Sequence, residues 1–438
     1  MKSALALAVM FVTSTAYANG RPPLTNGVYF RPGDPHSLYV RTTFGLLISH
    51  DDGCTMSWVC EQNIGYGGTF DPKYAIASDG TIYATSPSAG LRVSRDGGCT
   101  FTTHPSLPAD SWTDSVDIGP TGEVWVVTAT SGASNNVYSS TDGGTTFQAR
   151  GMLSATIWWK SVKIAKSNPL RVYVGGYEVA GALPDGGMAP LAHLAHTDDD
   201  GAHWTESALA GVLYGPVPTV IVNAVDPQNP DIVYVTSIGA NQSNGDRLYR
   251  STDAGMTLTE VLATTDGIRD VVIRDANTVL VATQMGGSFV STNGGQSFGP
   301  MANPPQLNCL GQRDDGTLIG CGANWAPDNM AVAKSADAGG TWQKVWRFVE
   351  LYGPLAECPA GTPEHDTCGD QLWPNIKAQF GCTGPACGAL QGQVYGASPA
   401  DTTPVKKKAG CCDASGGAAG GSLVWAAFAW VWLRRKRK

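Results

Sequence analysis

One eight-residue phrase is written seven times along this chain: SHDDGCTM from Ser49, SRDGGCTF from Ser94, STDGGTTF from Ser140, TDDDGAHW from Thr197, STDAGMTL from Ser251, STNGGQSF from Ser291 and SADAGGTW from Ser335. Successive copies start 45, 46, 57, 54, 40 and 44 residues apart. Self-similarity at such a period marks a repeat architecture and restricts the fold more than any local propensity does. Position one is always Ser or Thr and position five always Gly. Position three is Asp51, Asp96, Asp142, Asp199, Asp253 and Asp337, with Asn293 in the sixth copy. Position seven is Thr or Ser except at His203, and position eight is Phe or Trp except at Met56 and Leu258.

Six acids and one amide at such intervals are turn chemistry, not a catalytic site. An Asp side chain accepts hydrogen bonds from backbone N–H groups one or two residues on, Gly supplies a positive φ where the chain reverses, and the hydroxyls close the loop. The large apolar residue that ends each phrase starts a strand and packs between neighbouring sheets. Three short alternating segments precede each copy, for instance DSVDIG, EVWVVTAT and NVYSS before the third and TVIVNAV, DIVYVTSI and DRLYRS before the fifth. Four strands per cycle predict an all-β fold, a single seven-bladed β-propeller of four-stranded antiparallel blades over residues 27–350. The 54 Gly, 27 Pro, 13 Trp and 14 Tyr suit many short strands and tight turns. An eighth blade completed by Cys358 to Cys387 is the lesser alternative. The first and last blades each take their strands from their own end of the chain.

The phrase matches the Asp-box, or BNR repeat, S-x-D-x-G-x-T-W, and the chain thereby resembles sialidase-like β-propellers. Blade five, with DPQNP, VYV and STDAG in succession, also resembles xyloglucanases, the sortilin family and the photosystem II assembly factors. The resemblance implies that the phrase joins the third and fourth strands of each blade, on the side away from the usual ligand face. Sialidases grip a carboxylate with three arginines and use an Asp acid/base and a Tyr nucleophile. The nearest thing here to their Arg-Ile-Pro is Phe30-Arg31-Pro32, which parallels the inter-strand turn of blade five, so no catalytic residue, metal ligand or cofactor is assigned.

Function is therefore expected on the opposite face, in the loops leading into strand one and those joining strands two and three. The former carry Tyr74, Trp112, Trp158, Trp159, Lys160 and Arg269; the latter carry Tyr177, Glu178, Asn241, Asn324, Trp325 and Asp328. The segment 175–195 is the longest insertion, and long loops on a rigid scaffold carry function. Aromatics among amides and carboxylates make a platform for an extracellular carbohydrate or protein, while the same Trp and Tyr also suit inter-blade core. Glu178 with Asp328 is the candidate acid/base pair across the mouth. The leading reading is a non-catalytic, monomeric binding module; the alternative is a glycoside hydrolase of the same superfold.

Both ends of the chain read as addresses. MKSALALAVMFVTSTAYA has the layout of a secretory signal peptide over residues 1–18, cleaved after Ala18. A linker at 388–410 leads to a tail at 411–438 containing Cys411, Cys412, a 12-residue apolar run from Ser422 to Leu433 and five basic residues. That run is short for a membrane span, and its basic end fits a cytoplasmic stop. The tail resembles the MYXO-CTERM sorting tail, which implies processing near Gly410-Cys411 and membrane-anchored display at the cell surface. Export makes the cysteines disulfide candidates. Cys309 with Cys321, flanking QRDDGT, is expected as a cross-strand pair in blade six. Cys54 pairs with Cys60 or Cys99, and Cys358, Cys368, Cys382 and Cys387 form two disulfides within a Cys-rich segment at 351–387. Zinc is the lesser reading, because the spacings lack a C-x-x-C pair. The formal charge of −8, with the one basic cluster at the extreme C-terminus, excludes a nucleic-acid partner.

Overall fold

The computed structural model describes residues 21–381 apart from 183–186, 210–217, 239–244, 285–286 and 303. The expected signal peptide, linker and sorting tail, with Asn241, Cys382, Cys387, Cys411 and Cys412, lie outside the described residues. Seven sheets form a seven-bladed propeller, each blade a four-stranded antiparallel sheet with its strands in chain order. The first strands are Thr25–Tyr29, Tyr74–Ile76, Thr113–Ile118, Ile157–Ala165, Val220–Val225, Ile268–Ile273 and Cys309–Gln312, and they touch one another successively round the ring. They therefore line its axis. Side chains on them tie one blade to the next: Ile164 N–H donates to Asp117 Oδ2 (2.9 Å), Val222 N–H to Ser161 Oγ (2.9 Å) and Leu310 N–H to Asp270 Oδ2 (2.9 Å).

Each repeated phrase is the turn from third to fourth strand, and its wiring is the same in every blade. The position-one hydroxyl donates to the position-three side chain at 2.7–2.8 Å. The same hydroxyl accepts the position-five N–H at 2.8–2.9 Å. The position-three oxygen accepts the position-seven N–H at 2.7–3.1 Å. The captured amide is thus four residues on, further than the one or two expected from the sequence, because positions four and five are both left-handed and make the turn wider. Position four has φ of 58–64° even where it is Asp52, Asp200, Ala254 or Ala338. His203 supplies a ring nitrogen 2.6 Å from Asp199 Oδ2, where other copies have a hydroxyl.

Position eight explains the period. Among the described residues there are seven buried clusters, one in each gap between blades; Met56, Phe101 and Phe147 are buried in three of them, and Trp204, Leu258, Phe298 and Trp342, partly buried, pack against the other four. Burying a large side chain contributes about 1.5–3 kcal/mol, so the phrase both reverses the chain and anchors its blade to the neighbour.

Ring closure works differently from the rest. Blades one and seven exchange no strand; instead the chain after blade seven straps back over the seam. Gly353–Pro354 pairs in parallel with Ser57–Val59 of blade one, and a π-helical turn Glu364–Leu372 continues into the helix Trp373–Gln379. Phe348, Leu351, Ile376 and Phe380 join Trp346 of blade seven and Phe44 and Trp58 of blade one in a single cluster. This replaces the eighth-blade alternative: 353–380 adds one edge strand and helices, not a sheet. It also corrects the disulfides. Cys368 bonds Cys60 and Cys358 bonds Cys99, so both reach back to blades one and two and neither pairs inside the Cys-rich segment. Cys60 and Cys99 are consequently not partners of Cys54. Cys309 and Cys321 are bonded as directly opposed residues, in blade seven and not blade six.

Candidate functional site

Strand one of each blade starts at the end of the ring away from the repeated turns, so the residues at its start form the mouth of the axial channel. An inner strand has no neighbour on its axial edge, and polar side chains there meet water and one another. Inner strands accordingly carry charges inside otherwise apolar runs: Asp114 and Asp117 in blade three, Lys160 and Lys163 in blade four, Arg269 and Asp270 in blade six. Between them lies a cavity of about 380 Å³, lined in part by Arg41, Lys73, Lys163, Arg269, Asp117 and Asp270.

At the mouth, Asp114 is shared by two lysines. Lys73 Nζ lies 3.2 Å from Oδ1, and Lys160 Nζ contacts Oδ2 while sitting 5.1 Å from the centre of the Trp112 ring. Phe70 meets Trp112 edge-on at 5.7 Å. Burial lowers the Lys73 pKa, and the charge of Lys160 adds to this against the pull of Asp114. Deeper in the channel, Asp117 lies 3.4 Å from Lys163 and raises the pKa of that lysine. Burial lifts the Asp270 carboxyl to about 6, although the Leu310 N–H and the charges of Arg41, Lys163 and Arg269 pull it down. Arg41 comes from the second strand of blade one, Leu38–Thr42, opposite Gly27. Its guanidinium donates to Asn26 Oδ1 (2.9 Å) and to the Asn26 carbonyl. A Cβ on Gly27 would lie 3.0 Å from Arg41 Nε, so the glycine provides the space through which Arg41 reaches the channel. Arg269 is exposed at its tip and, among the described residues, makes no hydrogen bond or ion pair; partial burial at the channel mouth, and then Arg41, lower its pKa against the pull of Asp270, Asp246 and Asp266.

The residues named from the sequence separate into groups. Trp112, Lys160 and Arg269 sit at the mouth as described. Trp158 and Tyr177 are opposed in register, half-buried, with ring centres 5.5 Å apart. Trp159 points to the other face of the same strand: it is 2% exposed in the gap between blades three and four, and its Nε1–H donates to the Met152 carbonyl. Segment 175–195 is largely strand, Asn168–Ala182 pairing with Met188–Thr197 in an extended hairpin. Glu178, on that hairpin, lies 3.6 Å from His193, whose other ring nitrogen is 2.5 Å from Glu206. The blade-seven residues lie in the loop joining its second and third strands, where Asn324 and Trp325 meet Phe348 of the strap. Asn324 Oδ1 accepts the Phe348 N–H at 2.7 Å, and Asp328 Oδ2 accepts N–H groups from Gln306 (2.8 Å) and Ala323 (3.0 Å). Trp325 stays 40% exposed while meeting Phe348 edge-on. Glu178 and Asp328 stand three blades apart, each held by a different set of partners. Arg41, Lys73, Asp114, Lys163 and Asp270 were missed; charge within an apolar inner strand was the signal that could have found Asp114, Lys163 and Asp270.

No family model matches the sequence, and no curated protein matches it. Solved structures do. An ancestral GH74 enzyme superposes with a TM-score of 0.55 at 14% identity, covering 76% of this chain and 47% of that one. The GH74 xyloglucanase from Xanthomonas campestris gives 0.47 at 16% identity over 73% of this chain and 60% of its own. YCF48 from Cyanidioschyzon merolae gives 0.42 at 16% identity over 63% and 84%. The chain spans less than two thirds of the length of either GH74 enzyme. What the likeness to the ancestral GH74 enzyme supports is the β-propeller fold alone.

Proposed function

We propose that this chain is an exported, surface-anchored binding module whose propeller takes an extracellular carbohydrate or protein at the mouth of the axial channel without turning it over. What carries the reading is the state of the groups at the mouth and along the channel. Its carboxylates are engaged: Asp114 by two lysines, Asp117 by Lys163 and a backbone N–H, Asp270 by a backbone N–H. Tyr66 and Tyr74 are pushed well above the ordinary phenol by burial, the opposite of an activated nucleophile. Arg41 and Arg269 are directed to the channel, whereas Arg21 is bound by Asp71. Trp112 and the Trp158–Tyr177 pair supply aromatic surface beside these charges, as binding platforms require.

The glycoside hydrolase reading rests on one feature, the Glu178–His193–Glu206 chain on the blade-four hairpin. A glycan array probed with the exported protein, beside a panel of fluorogenic glycosides, separates the two. Array binding that is lost in Trp158→Ala with no glycoside cleaved supports the module; turnover abolished by Glu178→Gln overturns it. The address at 1–18 and the tail at 411–438 support export and anchoring. Replacing Cys411 and Cys412 by Ser should release the protein from cells, and undiminished retention would count against the anchor.

A further inference from the structure

The charged side chains lining the axial cavity are Arg41, Lys73, Lys163, Lys166 and Arg269 against Asp117 and Asp270, five positive and two negative. This surplus is concentrated at one place in a chain of net charge −8. It does not arise from a need to pair carboxylates. Asp117 has Lys163, and Asp114 just behind the wall already has Lys160, which leaves Lys73 as a second cation on the same carboxylate. Arg269 has no hydrogen-bond or ion-pair partner among the described residues, and Arg41 is brought in over Gly27 to lie near it, close enough to depress its pKa. Like charges crowded in a confined space raise the energy of the empty site, and an anion placed among them relieves it.

We propose that the channel mouth seats the acid group of an acidic polysaccharide, a carboxylate or a sulfate ester, between Arg269, Arg41 and Lys73. This rests on the binding-module reading and names its ligand class. Guanidinium groups match planar carboxylate and sulfate oxygens by bidentate donation, which an ammonium cannot do. The cavity is within the range of small-ligand sites, about 300–1,000 Å³. Trp112, Trp158 and Tyr177 around the rim offer flat apolar faces of the kind that pyranose C–H faces cover. A sugar chain with periodic acid groups satisfies both features at once.

The test is titration of the full exported protein with polygalacturonate and its fully methyl-esterified counterpart, and with dextran sulfate and dextran, each at low and high salt. The two pairs distinguish carboxylate from sulfate. The expected result is that at least one charged polymer binds about tenfold or more tighter than its uncharged partner, a difference of about 1.4 kcal/mol, and loses the advantage in high salt. Arg269→Gln, which removes a longer-range attraction to Asp270, Asp246 and Asp266 but no hydrogen bond or ion pair among the described residues, should erase that advantage with an unchanged melting temperature. Equal binding of charged and uncharged polymers, or unaltered selectivity in Arg269→Gln, overturns the acid site. If a neutral glycan binds and Trp158→Ala abolishes it, the acid site falls while the module reading survives. Preference for polyglutamate over every glycan overturns the sugar assignment, and binding to none of these polymers overturns the proposal outright.

Discussion

Cys60 and Cys368 are bonded to each other across 308 residues, joining the end of the outer strand of blade one to the helical turn that follows blade seven. With Cys99–Cys358, at a separation of 259, this bond holds the strap across the seam of the ring. A cross-link stabilises by restricting the unfolded chain, and the effect grows with the length of the loop it closes. The double variant Cys60→Ser/Cys368→Ser should therefore lose about 2–4 kcal/mol in denaturant unfolding. Cys309→Ser/Cys321→Ser, which opens a separation of only 12, should lose less. Equal losses would mean that the strap does not close the ring.

Asp142 is exposed and its carboxylate is held well below the ordinary range by Ser140 Oγ–H and by the N–H and hydroxyl of Thr146. Asp142→Ala should lower the melting temperature by a few degrees and leave glycan binding at the opposite face intact. Lost binding with unchanged melting would reverse that assignment. Because Asp142, Asp199 and Asp337 all have depressed folded pKa values, with Asp337 at about 2, their stabilisation is complete above pH about 4 and lost as pH falls toward 2. Acid unfolding monitored by circular dichroism in that window checks it.

Two buried carboxyls in the strap act in the other direction. Burial lifts Glu364 to about 7, against hydrogen bonds from Asn63 and the Leu355 N–H, and lifts Glu350 to about 7 beside Arg347. A raised folded pKa favours the protonated, folded form, so this contribution is full below pH about 4.5 and is lost as pH rises through 7. Glu364→Gln should flatten the decline in stability between those limits, by about 1–3 kcal/mol at pH 8 relative to pH 5. An unaltered pH profile in the variant would place the titration elsewhere.

Adjacent tryptophans of blade four should behave oppositely. Trp159→Ala empties a buried site between blades three and four and should cost about 3–5 kcal/mol. Trp158→Ala, which removes a half-buried ring packed at a tilt against Tyr177, should cost far less stability and abolish ligand binding. Melting and binding measured on both variants decide the matter, and a large stability loss in Trp158→Ala alone would exchange their roles.

Gly27→Ala places a methyl group 3.0 Å from Arg41 Nε and should push the guanidinium out of the channel. Loss of acid selectivity with retained folding is the expected outcome. Retained selectivity would mean that Arg41 is not part of the grip.

The ring was legible in the repeat, because a turn that needs two successive left-handed residues, a hydroxyl and an acceptor can be met by few side chains and must recur in every blade. The sequence showed equally that the acids of those turns serve the turn itself, as their identical hydrogen bonding in every blade bears out. It did not determine which aromatic faces solvent: Trp158 and Trp159 are neighbours of one kind, and only the strand's alternation and the bulge before Ser161 send them to different places. Nor did it place Arg41, whose route to the axis depends on the missing Cβ of Gly27 in the paired strand. Disulfide partners 259 and 308 residues apart were beyond any local pattern, since their spacing records the circumference of the ring and not the chain between them. The charge at the channel arises the same way, from residues of five blades that only closure of the ring brings to one axis.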